Sequence, residues 1–395
     1  DYLTHLTDDG LMVFTRWGLQ PPRESLRLIS LAMSALQDLG EKQAWQHILV
    51  VRENAQNLTG WGAQDTVIVF RKPISADDLV RVKSSIVETK LQPLYLPGDL
   101  PANEFGRLLK SDDPDAFRAD YAFDISPVDD NRPFFFYSVQ PRDLLDFLTQ
   151  RGQAADYKIN RAVPLLFELL GVSLLATIIV LALPPLLLGS RLKVEHGVRS
   201  FLLYFIFIGA GYVLIQVALI QKFVLFLGHP TYALTVIIFS MLISSGVGSY
   251  FSRRLAGRSG DSRLTTVLIA VAAAVSAIAF LAAPISESGV GWPLALKIAT
   301  TVSLVVPAGF LMGMPFPIGL ARLAAQYPGA VRWAWALNAA ASVLGSAAAI
   351  FFAIYIGLRA TVLLGAALYL GALAVVWLRQ RAIVVVAPAG AELRA

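Results

Sequence analysis

Cysteine is absent from this chain of 395 residues. Disulfide bonds and thiolate-ligated metal sites are therefore excluded, and the redox character of the compartment stays open. Charged residues are also scarce, at 15% against 56% hydrophobic residues, and the mean hydropathy is +0.60. Such a composition is typical of a membrane protein rather than of a soluble or disordered one.

The positive net charge does not indicate a nucleic-acid partner. The chain carries a formal charge of +5 and has a pI near 9.4. Much of the excess lies in short joints between apolar runs, where Lys and Arg hold cytoplasmic loops in place. The expected partner is the lipid bilayer. One such joint contains Arg191, Lys193 and Arg199. Another contains Arg253, Arg254, Arg258 and Arg263.

Seven uncharged apolar runs follow residue 160 and predict a polytopic helical bundle. A helix needs roughly 20 apolar residues to cross the hydrocarbon core. The predicted organisation is a soluble part over residues 1–160, a transmembrane domain of about seven helices over 161–380, and a tail over 381–395. The runs are 169–189, 200–221, 230–252, 264–286, 298–321, 333–358 and 361–378.

The soluble part predicts the closing half of a Rossmann-like open α/β sheet. Strands are expected at residues 11–16, 47–52 and 66–72, with a helix after Pro21-Pro22 that ends at Gly40. Open sheets of this kind bind nucleotides at the carboxyl ends of their opening strands, and those strands are not in this sequence. The predicted fold class is α/β followed by a membrane all-α bundle.

No nucleotide-binding loop accompanies this sheet. The sequence contains no Gly-x-Gly-x-x-Gly after a strand, no P-loop, and no acidic residue at the spacing that a ribose contact requires. The glycines of Gly60-Trp61-Gly62 are interpreted as turn residues. We therefore expect no cofactor site in this chain.

The distribution of Lys and Arg conflicts with cytosolic nucleotide chemistry. Cation-rich joints alternate with three joints that are poor in cations. The first of these holds only Lys222, the second has no Lys or Arg, and the third holds only Arg359. The richer joints belong in the cytoplasm, and seven spans then place residues 1–160 outside. A re-entrant first run is the alternative, since Glu168 precedes it and Pro184-Pro185 lies near its end.

The densest polar motif of the soluble part lies at residues 124–137 and contains Asp129, Asp130 and Arg132. Paired carboxylates beside an arginine can bind a cation or perform acid–base chemistry. The favoured interpretation is structural, with Asp129 and Asp130 capping and pairing with Arg132. The following aromatic residues would dock the segment on the sheet or on the membrane surface.

Polar side chains within or beside the apolar runs are functional candidates because they are costly at bilayer depth. Gln216 could line a cavity or form an interhelical hydrogen bond, which is the commoner fate of such groups, and Asn338 is a further candidate. The candidates near run ends could also snorkel to the interface. These are Lys222, His229 and Lys297, and Gln221 is a candidate beside them.

Pro315 and Pro317 remove two backbone donors within one turn, so we expect the helix to break or kink there. Broken helices mark binding sites in transporters. Close packing through Gly309 and Gly313 is the favoured alternative, and a second small-residue stripe repeats the spacing in the sixth run. That stripe is Ala341, Gly345 and Ala349.

Several motifs together resemble bacterial multi-pass membrane proteins that carry a spermidine-synthase-like domain. In the membrane part they are QKFVLFLGHP at 221–230, SGVGS at 245–249, MPFPIGL at 314–320 and WAWALN at 333–338. In the soluble part they are LTDDGL at 6–11 and DDNRPFF at 129–135. The resemblance spans nearly the whole chain and implies the bacterial inner membrane.

The resemblance implies a parent protein that performs aminopropyl or related transfer in polyamine metabolism. Decarboxylated S-adenosylmethionine or S-adenosylmethionine is the implied cofactor. Its glycine-rich loop and the acidic residue that activates the amine would both precede Asp1, so no catalytic residue is transferred to this chain. The missing amino-terminal portion or a companion membrane subunit is the implied partner.

Two alternatives to a transferase stay open. One is a transporter and the other a non-catalytic membrane scaffold, each with a vestigial Rossmann domain. Family members often carry a glutamate where this chain has Gln216, and the amide weakens a proton-coupled transport hypothesis.

Overall fold

The computed structural model describes residues 2–57, 62–99, 102–140, 142, 162–187, 197–252 and 260–386. The chain divides into two units, one of Asp1–Asp129 with Pro133–Pro164 and one of Asp130–Arg132 with Leu165–Ala395. Parts of the Gly60-Trp61-Gly62 turn, of two Arg-containing joints and of the tail lie outside the described residues.

The soluble unit is built on a four-stranded sheet in the order β1-β3-β2-β4. The strands are β1 (Leu11–Trp17), β2 (Ile48–Glu53), β3 (Gln64–Phe70) and β4 (Gln92–Tyr95). All three ladders are antiparallel. Because β1 and β2 are each antiparallel to β3, they run in the same direction. Their carboxyl ends therefore lie at the same end of the sheet.

Helices cover both faces of this sheet because successive strand residues point to opposite sides. Helix α1 (Glu24–Asp38) packs on the face of Ile48, Val50, Val67 and Val69. Helix α2 (Ala76–Thr89) packs on the face of Leu49 and Val51. Each fully buried aliphatic side chain contributes about 1.5–3 kcal/mol. Two short helices, α3 (Glu104–Leu109) and α4 (Pro114–Asp120), complete the described part of the unit.

The three predicted strands and the first helix are present, with ends shifted by one or two residues. Gly40 follows α1 at φ +88°, the left-handed conformation expected after a helix C-terminus. The antiparallel pairing makes this a small mixed α/β unit. Its Rossmann-like nature stays a prediction.

Eight helices form the described membrane unit. They are α5 (Ala162–Leu187), α6 (Val198–Leu227), α7 (Pro230–Ser252), α8 (Gly260–Ser288), α9 (Leu294–Met312), α10 (Pro315–Gln326), α11 (Val331–Ile356) and α12 (Leu358–Val386).

Six stretches of the described chain are long and apolar enough to span a membrane. They correspond to the second to seventh predicted runs, so a multi-pass helical membrane protein is confirmed at this level. The first run lies in α5, where the stretch that qualifies as apolar, Glu168–Ile179, is shorter than a full span. The stretches are Val198–Leu227, Pro230–Ser252, Arg263–Ser288, Leu294–Gln326, Pro328–Ile356 and Leu358–Leu378.

Helix α6 lies at the centre of the bundle and packs against α7, α11 and α12. Small residues permit these contacts. A Cβ atom added to Gly345 would lie 2.9 Å from the carbonyl oxygen of Ala210, and one added to Gly211 would lie 3.2 Å from the Tyr369 ring. Because lipid competes equally for apolar side chains, close backbone approach is the main source of helix association here.

The predicted break at Pro315 and Pro317 is confirmed. Helix α9 ends at Met312 and α10 begins at Pro315, the first helical position, where the missing proline N–H costs nothing. The two helices together form one candidate membrane span, Leu294–Gln326.

Candidate functional site

The segment Asp130–Arg132 belongs to the membrane unit and lies at one end of the bundle. Lys222 Nζ donates to the carbonyl oxygen of Asp130 at 3.3 Å. Arg132 Nε donates to the carbonyl oxygen of Ile354, near the end of α11, at 3.2 Å. Two sequence candidates, Lys222 and Asp130, are thus brought together through the main chain rather than through their charges.

Asn131, which was not among the predicted site residues, makes the most specific contacts of this segment. Its side-chain oxygen accepts from the Arg359 N–H at 2.8 Å, and its carbonyl oxygen accepts from the Leu358 N–H at 2.8 Å. These two N–H groups open α12 and have no partner within the helix. Asn131 therefore caps a helix that lies 228 residues away in the sequence.

Gly357 provides the space for this cap. It adopts φ +87°, and a Cβ atom there would overlap the Asn131 amide. The only sequence signal was an Asn that follows Asp129 and Asp130, which predicts a local turn as readily as a remote cap.

Asp129 and Asp130 are exposed, and Arg132 is half-buried. The predicted pairing of the two carboxylates with Arg132 stays a prediction. The aromatic residues after Pro133 are docked in the soluble unit, as the structural interpretation expects. Arg27 Nη1 donates to three main-chain carbonyls there, those of Phe134 at 3.2 Å, Phe135 at 2.7 Å and Tyr137 at 2.7 Å.

Arg27 also forms an ion pair with Asp124, with Nη2 and Oδ2 3.0 Å apart. Both side chains are largely buried, at 3% and 10% exposed. Charges removed from water are stable only with partners that satisfy them, and the two terminal nitrogens of Arg27 find such partners in carbonyls and a carboxylate. The motif at 124–137 is therefore held by an arginine on α1.

A second buried ion pair lies where β1 and β2 end and β3 begins. Arg52 Nε and Nη2 donate to the two carboxylate oxygens of Asp65 at 2.6 and 3.0 Å. Ser25, at the start of α1, donates to the same carboxylate at 2.8 Å. Asp65 is 0% exposed and Arg52 4%. We call Ser25, Arg52 and Asp65 the sheet-edge network.

The β1–α1 loop rests directly on this network. Arg52 Nη2 donates to the Leu19 carbonyl oxygen at 3.4 Å. A Cβ atom at Gly18 would lie 2.9 Å from Asp65 Oδ1, so glycine is required for the loop to pass there. The network therefore fixes the backbone of the β1–α1 loop at this end of the sheet.

One carboxyl group at the same edge is poorly satisfied. Glu24 Oε2 and Arg16 Nε are buried atoms that find no hydrogen-bond partner in the described part of the chain. Desolvation raises the pKa of the Glu24 carboxyl, and the positive charges of Arg16, Arg23 and Arg27 oppose that shift only in part. Glu24 therefore holds a proton to higher pH than an ordinary glutamate.

A pattern in the sequence could have revealed the network. Asp65 shares the inward side of β3 with Val67 and Val69, and a carboxylate on a buried face requires a cationic partner. Arg52, on the neighbouring buried strand, is that partner. Pairing two strands in the right register was needed to see it.

Asn338 forms interhelical hydrogen bonds rather than lining a cavity. Its Nδ2 donates to the Phe205 carbonyl oxygen on α6 at 2.9 Å. Ser342, one turn later, donates to the Gly209 carbonyl oxygen at 3.2 Å. Gln216 and Gln221 are half-buried on α6.

The remaining charged candidates lie at helix ends. His229 Nδ1 accepts from the Thr231 N–H at 3.2 Å and thereby caps α7. Lys297 Nζ lies 5.6 Å from the centre of the Phe226 ring. Both arrangements are structural and fit positions near the interface.

The helix break is closely packed. Tyr204 donates to the Pro315 carbonyl oxygen at 2.7 Å, and the Phe316 ring lies between Phe205 and Trp335, with centroids 5.4 and 4.6 Å away. Cβ atoms at Gly309 and Gly313 would overlap Ser244 and the Ser245 main chain. This geometry supports the packing interpretation of the two prolines.

An apolar cavity of about 460 Å³ lies between α7 and α9. Its polar lining consists of Ser240 and Ser244, and the Ser244 hydroxyl already donates to the Ser240 carbonyl at 2.6 Å. Such a cavity cannot stabilise a charged amine. Within the described residues, no group of three His, Asp or Glu side chains is placed to hold a metal ion.

No protein-family model, curated protein or solved structure matches this chain. The chain's own geometry shows a multi-pass helical membrane bundle and a small α/β unit with a braced sheet edge. Any finer assignment is a proposal.

Proposed function

We propose that this protein anchors a spermidine-synthase-like α/β unit to the bacterial inner membrane and takes part in aminopropyl or related transfer to a polyamine. In this proposal the catalytic sheet is completed by a further segment that pairs with β1. That segment comes from an amino-terminal portion of the same protein or from a companion membrane subunit. It would also hold decarboxylated S-adenosylmethionine or S-adenosylmethionine.

The observation that carries this proposal is the apolar outer edge of β1. In the described chain β1 pairs with β3 on one side only. Leu11 and Val13 are 45% and 53% exposed on one face of the strand. Proteins normally cover or charge such edges because they template further strand pairing.

The other face of β1 supports the same conclusion. Met12 and Phe14 line a cavity of about 360 Å³ together with α1 side chains such as Leu28 and Ala35. A helix or strand that continued the sheet would fill this space. Apolar surface on both faces, beside an unpaired edge, favours extension of the sheet beyond β1.

In this proposal the ligand binds at the braced edge, and the direction of the strands supports that position. The carboxyl ends of β1 and β2 meet there with the N-terminus of α1, and sheets of this class bind their ligands outside those ends. The sheet-edge network holds the β1–α1 loop in place. Its donors are used internally, so its role is to position the backbone rather than to react.

Calorimetric titration with decarboxylated S-adenosylmethionine tests the proposal. We expect no binding by the 395-residue chain alone. The native assembly purified from membranes should bind it and transfer a labelled aminopropyl group to a diamine. Binding by the isolated chain, or no transfer by the native assembly, would contradict the proposal.

A substitution at the edge gives a matched comparison. Val13→Lys places a charge on the β1 face and should reduce co-purification of the completing segment and the transfer activity together. Val80→Lys is the control, since Val80 is 65% exposed on α2. Equal activity in the two variants would show that the β1 edge is not the pairing surface.

A further inference from the structure

The segment Asp130–Arg132 identifies one end of the membrane bundle. Its contacts are to Lys222 near the end of α6, to Ile354 near the end of α11, and to the first residues of α12. The α8–α9 connection lies at this same end, because the Trp292 and Phe226 rings are 6.4 Å apart. We call this the Asn131 end.

Residue 198 lies at the opposite end. Helix α6 runs from Val198 to Leu227 and, at about 1.5 Å per residue, is roughly 45 Å long. Near its start, the Phe201 ring packs on Tyr327, with centroids 6.1 Å apart, where α10 meets α11. Residue 132 therefore lies at the Asn131 end of the bundle, and residue 198 lies at the opposite end, which we call the far end.

The helix between these two points must make the crossing. Helix α5 spans Ala162–Leu187, which is about 39 Å at the usual rise, against a hydrocarbon core of about 30 Å. Large apolar side chains are exposed along it, including Leu165, Val172 and Leu175 at 63%, 64% and 58%. A helix that is apolar all round needs lipid or protein on every side.

We infer that α5 is a seventh transmembrane helix and that Asp130–Arg132 lies on the non-cytoplasmic side of the membrane. The side follows from the cations. The joints that flank the far end contain Arg191, Lys193, Arg199 and the group Arg253 to Arg263, whereas those at the Asn131 end contain Lys222 and Arg359. Cation-rich joints stay in the cytoplasm.

The position of the sheet-edge network follows from the same path. No described stretch before Asp130 qualifies as a membrane span. The polypeptide that carries Arg52 and Asp65 is therefore on the non-cytoplasmic side. The proposed transfer reaction would then require its S-adenosylmethionine-type cofactor to be supplied on that side. This inference concerns topology and does not depend on the proposed transfer reaction.

Cysteine accessibility tests the inference directly, because the native chain contains no cysteine. Three single substitutions at exposed positions are compared: Ser84→Cys in the soluble unit, Ser288→Cys at the Asn131 end, and Ala325→Cys at the far end. A membrane-impermeant maleimide is applied to intact cells and to permeabilised cells, and elution of each variant in detergent checks its folding.

We expect Ser84→Cys and Ser288→Cys to react in intact cells and Ala325→Cys to react only after permeabilisation. Loss of labelling at Ser84→Cys in intact cells, with Ser288→Cys still labelled, overturns the seventh crossing. Labelling of Ala325→Cys alone in intact cells overturns the assignment of sides. Neither result depends on cofactor binding or transfer, so the proposed function is tested separately.

Discussion

Individual polar residues in this protein act mainly through the main chain of distant segments. Asn131 caps α12, Asn338 holds the α6 backbone, and Arg27 gathers three carbonyls of a loop. Asn131 and Arg27 satisfy backbone groups that a helix start or a loop leaves open, whereas Asn338 adds a hydrogen bond to a carbonyl inside α6. Such contacts are worth about 1 kcal/mol each and more where the group is buried.

Replacing Asn131 should weaken the start of α12. In Asn131→Ala the Arg359 N–H loses its acceptor, and loss of an N-cap costs about 1 kcal/mol. Asp130→Ala is the matched control, because Asp130 contributes its carbonyl oxygen. Thermal unfolding in detergent should show a lower Tm for Asn131→Ala alone, and equal Tm values would contradict the capping role.

Glu24 should make the soluble unit less stable as the pH rises. Its pKa is raised above the ordinary 4.5 by burial, so folding is penalised once the unfolded chain, but not the folded one, loses the proton. The loss of folding stability is absent when the pH is below the ordinary pKa. It is complete when the pH is above the raised pKa of the folded state. Glu24→Gln should therefore be more stable than the native chain at neutral pH.

The comparison is made by urea unfolding at several pH values. The advantage of Glu24→Gln should vanish in acid, whereas Glu88→Gln, exposed on α2, should follow the native chain throughout. An advantage that persists in acid would mean that the carboxylate charge is not the cause.

At the scale of elements, the contacts between helices depend on where each glycine faces. Gly246 and Gly248 both lie on α7, yet a Cβ at Gly248 would overlap the Phe310 carbonyl oxygen, whereas nothing lies within 4 Å of one at Gly246. The motif SGVGS does not distinguish the two. Only the rotation of α7 against α9 does so.

These two glycines make a matched pair of substitutions. Gly248→Ala should separate α7 from α9 and lower the yield of folded protein, since backbone cannot move aside cheaply. Gly246→Ala should be neutral or stabilising by up to about 1 kcal/mol through helix propensity. Size-exclusion profiles and Tm in detergent report both effects, and equal damage from both variants would reject this packing.

At the scale of the whole molecule, apolar residues form separate cores in the two units. One core is built from the transmembrane helices, and the others lie on the two faces of the sheet. Urea weakens the burial of apolar groups from water, whereas the bundle is immersed in lipid or detergent. The two units should therefore unfold separately.

Two transitions are expected in urea. Arg52→Ala should shift the first one strongly, because it leaves the Asp65 carboxylate buried and unpaired, a loss of about 3–5 kcal/mol. Arg107→Ala, in an exposed pair, should shift it little. Tyrosine and tryptophan fluorescence with far-UV circular dichroism would follow both transitions, and a shift of the second one by Arg52→Ala would contradict independent unfolding.

Local patterns predicted much of the fold. Seven apolar runs, the strands at 11–16, 47–52 and 66–72, and the helix break at Pro315 follow from hydrophobic period, length and missing backbone donors. Six of the runs are confirmed as candidate spans, and the strands and the break are present. The roles of the polar candidates were harder to predict, because a half-buried amide such as Asn338 has the same sequence signal whether it binds a ligand or a neighbouring helix.

The sequence by itself determined that this is a multi-pass membrane protein with an α/β part, because length, period and charge along the chain are local properties. The tertiary structure decided the rest. The antiparallel order β1-β3-β2-β4, the pairing of Arg52 with Asp65, and the cap that Asn131 places on α12 each join residues far apart in the chain. Such contacts depend on register and helix rotation, which side-chain packing selects only after the elements have formed.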